Sequence, residues 1–131
     1  MEITLVQAPP AAASLVIAAF ESRDAAHLAH LQSQSYAEHV ALNVYYDKII
    51  DLVDAYVESY QGRYGIIRQY PTGVLSQLPD ATAMTATTML FSLGEWIEAN
   101  KAKLGASSEL QIVEDMLILI NTTIYKLTNL K

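Results

Sequence analysis

Apolar residues recur along most of this chain at intervals of three and four, the spacing of helices with one buried side. The strongest example is the stretch 36–65, where Leu42, Tyr46, Ile49, Val53, Tyr56 and Tyr60 form one stripe. Beside it runs a second, polar stripe of His39, Asn43, Asp47, Asp54 and Glu58. Ser35 with Glu38 three residues on predicts a capping box at its start, and Gly62 and Gly65 predict its end. The helix is placed at about 36–61.

Upstream, residues 1–8 alternate weakly and, with Pro9 and Pro10 stopping any strand, residues 1–10 read as an extended arm. A first helix is expected over about 11–31, with Ile17, Phe20, Leu28 and Leu31 on its apolar face and Asp24 and His27 sharing that face. The polar segment Gln32–Ser35 breaks it. Pro71, Gly73 and Pro79 forbid one continuous helix between residues 62 and 80, so this is a long connection with a helical turn near Val74–Leu78. A third helix at about 81–103, capped by Asp80 or Thr82, puts Met84, Thr88, Phe91 and Glu95 on one side. Met89, Leu93, Trp96 and Ile97 take the other, and Gly105 ends it. The last helix, about 108–130, is capped by Ser107 or Ser108. Its stripe of Leu110, Val113, Leu117, Ile120, Ile124 and Leu127 is widened by Ile112, Met116 and Leu119. A helix that broad is central in the bundle or meets another subunit. Four helices with a long second connection predict one all-α domain over residues 1–131, a ferritin-like four-helix bundle with a crossover between helices 2 and 3.

Composition changes this picture mainly by exclusion. With 131 residues, 52% of them hydrophobic, the chain fits one packed domain. It has no cysteine, which removes disulfides, zinc–thiolate sites and cysteine nucleophiles. Eight basic against 14 acidic side chains give a net charge of −6, with no basic run, so direct DNA binding is not expected. The run Ala11–Phe20 is too short to span a bilayer, and Glu2 follows Met1. A soluble, unprocessed protein without a membrane partner is the expectation.

The candidate chemistry lies on the first two helices. Imidazoles of His27 and His39 with carboxylates of Asp54 and Glu58, one turn apart, are a ligand set for ferrous iron, manganese or zinc. The plainer reading is a solvated acidic face and hydrogen-bonded histidines. Glu95 and Glu98 form a weaker carboxylate pair, because no Glu-x-x-His motif accompanies them. His30 lies off the His27 face and reads as a surface or capping residue. The eight tyrosines read as packing, with electron transfer as the alternative. No arrangement around Ser or Thr suggests a nucleophile, and no phosphate-binding glycine loop is present.

His27, eleven residues, His39, fourteen residues, Asp54, three residues, Glu58 and a helix-ending glycine pair together resemble the mini-ferritins, the Dps-like proteins of starved bacteria. The segment QIVEDMLILINTTIYKLTNL is similar to that family's closing helix. The resemblance implies a ferroxidase in which histidines of one subunit face the carboxylates of a two-fold-related copy. There His27, His39, Asp54 and Glu58 would act on Fe(II) as ligands and catalytic groups. It also implies a homo-oligomer, a shell of twelve chains that stores iron and limits oxidative damage. The family's further ligand falls on Asn43, a weaker neutral amide, with Asp47 one turn on as the substitute. The aromatic residue that the family carries near its first histidine is missing, and the chain is shorter than typical members. The stretch DLVDAYVESYQGRYG also resembles small bacteriophage-encoded proteins of unassigned role. That alternative implies a structural or assembly protein without catalysis or cofactor, whose partners are copies of itself or virion proteins. The implied location is the cytoplasm of a bacterium or infected host, or the virion.

Overall fold

The computed structural model describes residues 10–72 and 83–131. Within them the chain forms α1 (Ala11–Gln32), α2 (Tyr36–Tyr64), α3 (Ala83–Asn100), a single 3-10 turn (Lys101–Lys103) and α4 (Ser107–Asn129), with no strand among the described residues. Residues 1–9 of the expected arm, the turn near Val74–Leu78, the Asp80 or Thr82 cap and the Met84 side chain lie outside the described residues. The protein is an all-α four-helix bundle.

Side-chain bonds fix the direction of each helix. Ser22 meets Tyr45 and His30 meets His39, so α1 and α2 are antiparallel. Ser59 and Arg63 near the end of α2 meet Glu109 at the start of α4, so these two are antiparallel. Lys101 pairs with Glu114, and Gly94 faces Ile120, so α3 and α4 are antiparallel as well. Helix α1 packs on α2 and α3, and α4 packs on the same two, leaving α2 and α3 diagonal and parallel. The end of α2 and the start of α3 therefore stand at opposite ends of the bundle. The connection between them spans the length of α3, about 27 Å for 18 residues. This is the crossover that a ferritin-type helix order requires. Ile67 is buried and donates its amide to Gln61 Oε1, and Tyr70 has already turned back to the level of Asp54 and Glu58.

The apolar stripe of α2 packs as its spacing predicts: Leu42, Tyr46, Ile49, Val53 and Tyr56 are buried. Ser35 caps the helix by accepting the Glu38 amide, but the Glu38 carboxylate accepts a bond from Ser33 and does not return to Ser35. The box is thus half made. Gly65, at φ 93°, closes the helix with its amide on Gln61 O.

Helix α1 corrects its expected face. It buries Ala12, Ala19, Ala26 and Ala29 with Leu15, Val16 and Ser22, whereas Phe20, Leu28 and Leu31 are exposed. Both stripes have helical spacing; the small one faces inward because it must fit the bulky residues of its neighbours. Tyr45, fully buried, reaches across to share a 2.6 Å bond with Ser22.

Helix α4 starts from Ala106, not from Ser107 or Ser108. Glu109 provides the cap from inside the helix. Its carboxylate accepts the Ala106 amide (3.2 Å), Ser59 Oγ (2.8 Å) and Arg63 Nε (2.7 Å), although the residue is fully buried. Burial alone would raise this carboxyl, but the bonds from Arg63, Ser59 and Ala106 outweigh it and hold the group below its usual range. Nearby, Tyr56 donates to Leu104 O across the same junction at 2.5 Å. Gly105 sits between them at φ 141°, and a Cβ there would stand 2.6 Å from Glu109 Cβ.

Candidate functional site

All three histidines of the chain meet at the α1–α2 corner. His30 lies in the last turn of α1, where carbonyls lack intrahelical partners. Its carbonyl accepts His39 Nδ1 at 2.9 Å, and its own Nδ1 bonds to His39 O at 2.7 Å. A carbonyl only accepts, so both rings carry their proton on Nδ1 when neutral. This leaves each Nε2 as the lone-pair nitrogen, the state in which a histidine binds a metal. The rings stack with centroids 3.6 Å apart and 21° between planes. His27 instead packs on Tyr46, at 4.1 Å, and stands 6.0 Å from His30. The Arg23 guanidinium lies 5.4 Å from the Tyr46 ring centre.

His30 is therefore not a surface residue: it is buried and is the ring next to His39. The structure brings His27 to Tyr46 and His30, where spacing suggested an approach to His39. No buried side-chain nitrogen or oxygen among the described residues lacks a partner, so the unbonded ring nitrogens are open to solvent. Lone pairs lie in the ring plane, so those of two stacked rings run nearly parallel and do not converge on one ion. Among the described residues no group of three or more histidine and acidic side chains is arranged to hold a metal.

The polar stripe of α2 continues from this corner. Tyr46 donates to Asn43 Oδ1 at 2.5 Å, and Asn43 Nδ2 donates to Asp47 Oδ2 at 3.2 Å. The amide oxygen of Asn43 is thus engaged, while Asp47 does reach back one turn toward it. Asp54 is fifteen residues from His39, about 22 Å along the helix. Within one chain the carboxylates of Asp54 and Glu58 cannot reach the histidines. They stand exposed, without an ion pair among the described residues, beside a groove of about 510 Å³ floored by Val16, Ile17, Val53 and Val57. His39 and the carboxylates nonetheless share one side of α2, since positions 39, 43, 47, 54 and 58 fall within about 100° of arc.

The other candidates separate readily. Glu98 pairs with Lys101 at 3.2 Å, and Glu95 lies exposed on the α3–α4 groove. Tyr45 and Tyr56 are fully buried and hydrogen-bonded, and burial raises both phenols, keeping them protonated. Sequence reasoning passed over Glu109, although an acid on the α4 core stripe with Val113, Met116 and Ile120 was a visible signal.

A family of unknown function, DUF5856, matches residues 30–127, and the chain belongs to that family. No curated protein and no solved structure matches it significantly. No helix among the described residues is long and apolar enough to cross a membrane.

Proposed function

We propose that this protein binds Fe(II) and oxidises it at a site shared between two copies, in the manner of the Dps-like proteins it resembles. The observation that carries this reading is the polar stripe of α2. It offers the His39 imidazole at one end, at the corner that also holds His27 of α1, and two unpaired carboxylates four turns away, on the same side. Two antiparallel copies would set the histidines of one against Asp54 and Glu58 of the other. His27 and His39 would ligate through Nε2, held by the Nδ1 bond in the case of His39. Asp54 and Glu58 would supply anionic oxygen, which favours Fe(III) over Fe(II), and one electron per iron passes to dioxygen or peroxide. Asp47 is the nearest replacement for the ligand missing at Asn43. Manganese and zinc suit the same donors. Such a site needs a two-fold contact, and the storage shell remains an implication of the resemblance alone.

The test is Fe(II) oxidation by the purified protein, followed through the absorbance of the ferric product. His39→Ala and Asp54→Asn are each expected to slow it more than tenfold, and Asn43→Asp to accelerate it by supplying the missing charge. Oxidation at the rate of iron in buffer, unchanged by these variants, would sink the reading.

One observation favours the non-catalytic alternative of a structural or assembly protein. Leu28, Leu31, Tyr36 and Val40 all expose apolar surface around the histidine corner, which suits a protein partner. On that reading the protein purifies without metal, and His27→Ala leaves its assembly unchanged.

A further inference from the structure

The groove between α2 and α4 lies on another face and carries a different pattern. It measures about 370 Å³ and is floored by Val44, Leu52 and Leu119, with Ile118 at its centre, 62% exposed. Four charges rim it: Lys48 and Asp51 on α2, Asp115 and Lys126 on α4. None forms an ion pair among the described residues.

Their order along the groove is what matters. Helix α4 leaves Glu109 as α2 approaches Ser59, so Asp115 stands level with about Val53 and Lys126 with about Leu42. By the same rule Asp51 stands level with about Leu117 and Lys48 with about Ile120, so both acids lie toward one end of the groove and both lysines toward the other, with Ile118 between them. In a two-fold contact each copy presents the same surface, so a patch associates with itself only if its two halves are complementary. This patch is complementary under one orientation, a two-fold axis crossing the helices at about the level of Leu119. That axis lays α2 antiparallel on α2 of the second copy and α4 antiparallel on its α4. Asp115 then meets the partner's Lys126, and Lys48 meets the partner's Asp51. The centre of each charge pair falls within about one helical turn of the same axis, so both pairs form in one register.

We infer that the α2–α4 groove is a self-association face, occupied by a second copy of this chain in that antiparallel register. The contact is independent of the metal reading, which uses the outer side of α1 and α2. Exposed ion pairs contribute little stability by themselves, so the charges select the register while Ile118 and the groove floor supply the apolar centre.

Native mass by light scattering and sedimentation tests this, with circular dichroism to establish that each variant is folded. Ile118→Asp places a charge at the centre of the contact but at an exposed position, so the fold should persist while the native mass halves. Asp115→Lys should do the same by setting lysine against lysine. The double variant Asp115→Lys/Lys126→Asp restores opposite charges and should recover the wild-type mass. A wild-type chain that stays at 14.4 kDa, an Ile118→Asp variant of unchanged mass, or a double variant that fails to recover would each overturn the inference. Iron oxidation measured on the same variants separates the two proposals. Folded Ile118→Asp protein that halves in mass yet shows no activity change supports this face alone, and loss of iron oxidation in His39→Ala leaves it untouched.

Discussion

Replacing Glu109 with alanine should lower stability by about 2–3 kcal/mol, a fall in Tm of about 10 °C for a domain of this size. One carboxylate gathers three donors from three places: the Ala106 amide at the start of α4, Ser59 in α2 and Arg63 in the last turn of α2. Removing it strands the Ser59 hydroxyl and the Ala106 amide at a junction closed by Tyr56 and Leu104. Arg63 costs less, because its side chain is 44% exposed and can turn to water. Glu109→Gln keeps the shape and can still accept from Arg63 through its amide oxygen but loses the charge, and should fall between wild type and Glu109→Ala. The same residue predicts an acid response. Its folded-state pKa lies below the unfolded value, so its contribution is complete above the usual glutamate range, about pH 4.3. That contribution is lost as pH falls through the depressed value. Thermal melts should therefore show the gap between wild type and Glu109→Gln shrinking as the solution is acidified below that range. A gap that is constant with pH would mean that the charge contributes nothing.

The second large effect is expected at Ala26, which is fully buried on α1. Leucine there should destabilise by about 3 kcal/mol, because an interior packed against alanine has no room for three more carbons. The same change at Leu28, which is already exposed on the other side of the helix, reads in the opposite sense: Leu28→Ala should cost under about 0.5 kcal/mol in the isolated bundle. Chemical denaturation of both variants checks the pair. Equal losses would mean that α1 buries its larger face after all.

These two helices also show how far the sequence could be read. On α2 the buried residues are the large ones, so spacing and size agree and the stripe from Leu42 to Tyr56 was legible. On α1 they disagree. Ile17, Phe20, Leu28 and Leu31 have the spacing and the bulk, yet Ala12, Ala19 and Ala26 face the core, because a helix opposite Tyr45 needs small partners. Size alone cannot reveal that; it depends on what stands across the interface. The histidines failed for a related reason. His27 and His30 are one turn apart, and which of them meets His39 is decided by where α1 stops and how Ser33–Ser35 turns the chain. The link between α2 and α3 was legible from its length and prolines, and the helix directions require it to span the bundle. Glu109 was missed because an acid in a first turn is usually a solvated cap, whereas this one is enclosed by donors.

The central claim, an iron site shared between copies, is tested most directly by mixing two inactive variants. One lacks the imidazole (His39→Ala), and the other lacks the carboxylates (Asp54→Asn/Glu58→Gln). In a two-fold pair containing one of each, one site is doubly damaged, but the other combines an intact histidine set with intact carboxylates. Co-refolded at equal amounts, the mixture should recover about a quarter of the wild-type Fe(II) oxidation rate, because half the pairs are mixed and each holds one complete site of two. A mixture as inactive as its separate components would contradict a site built from two copies.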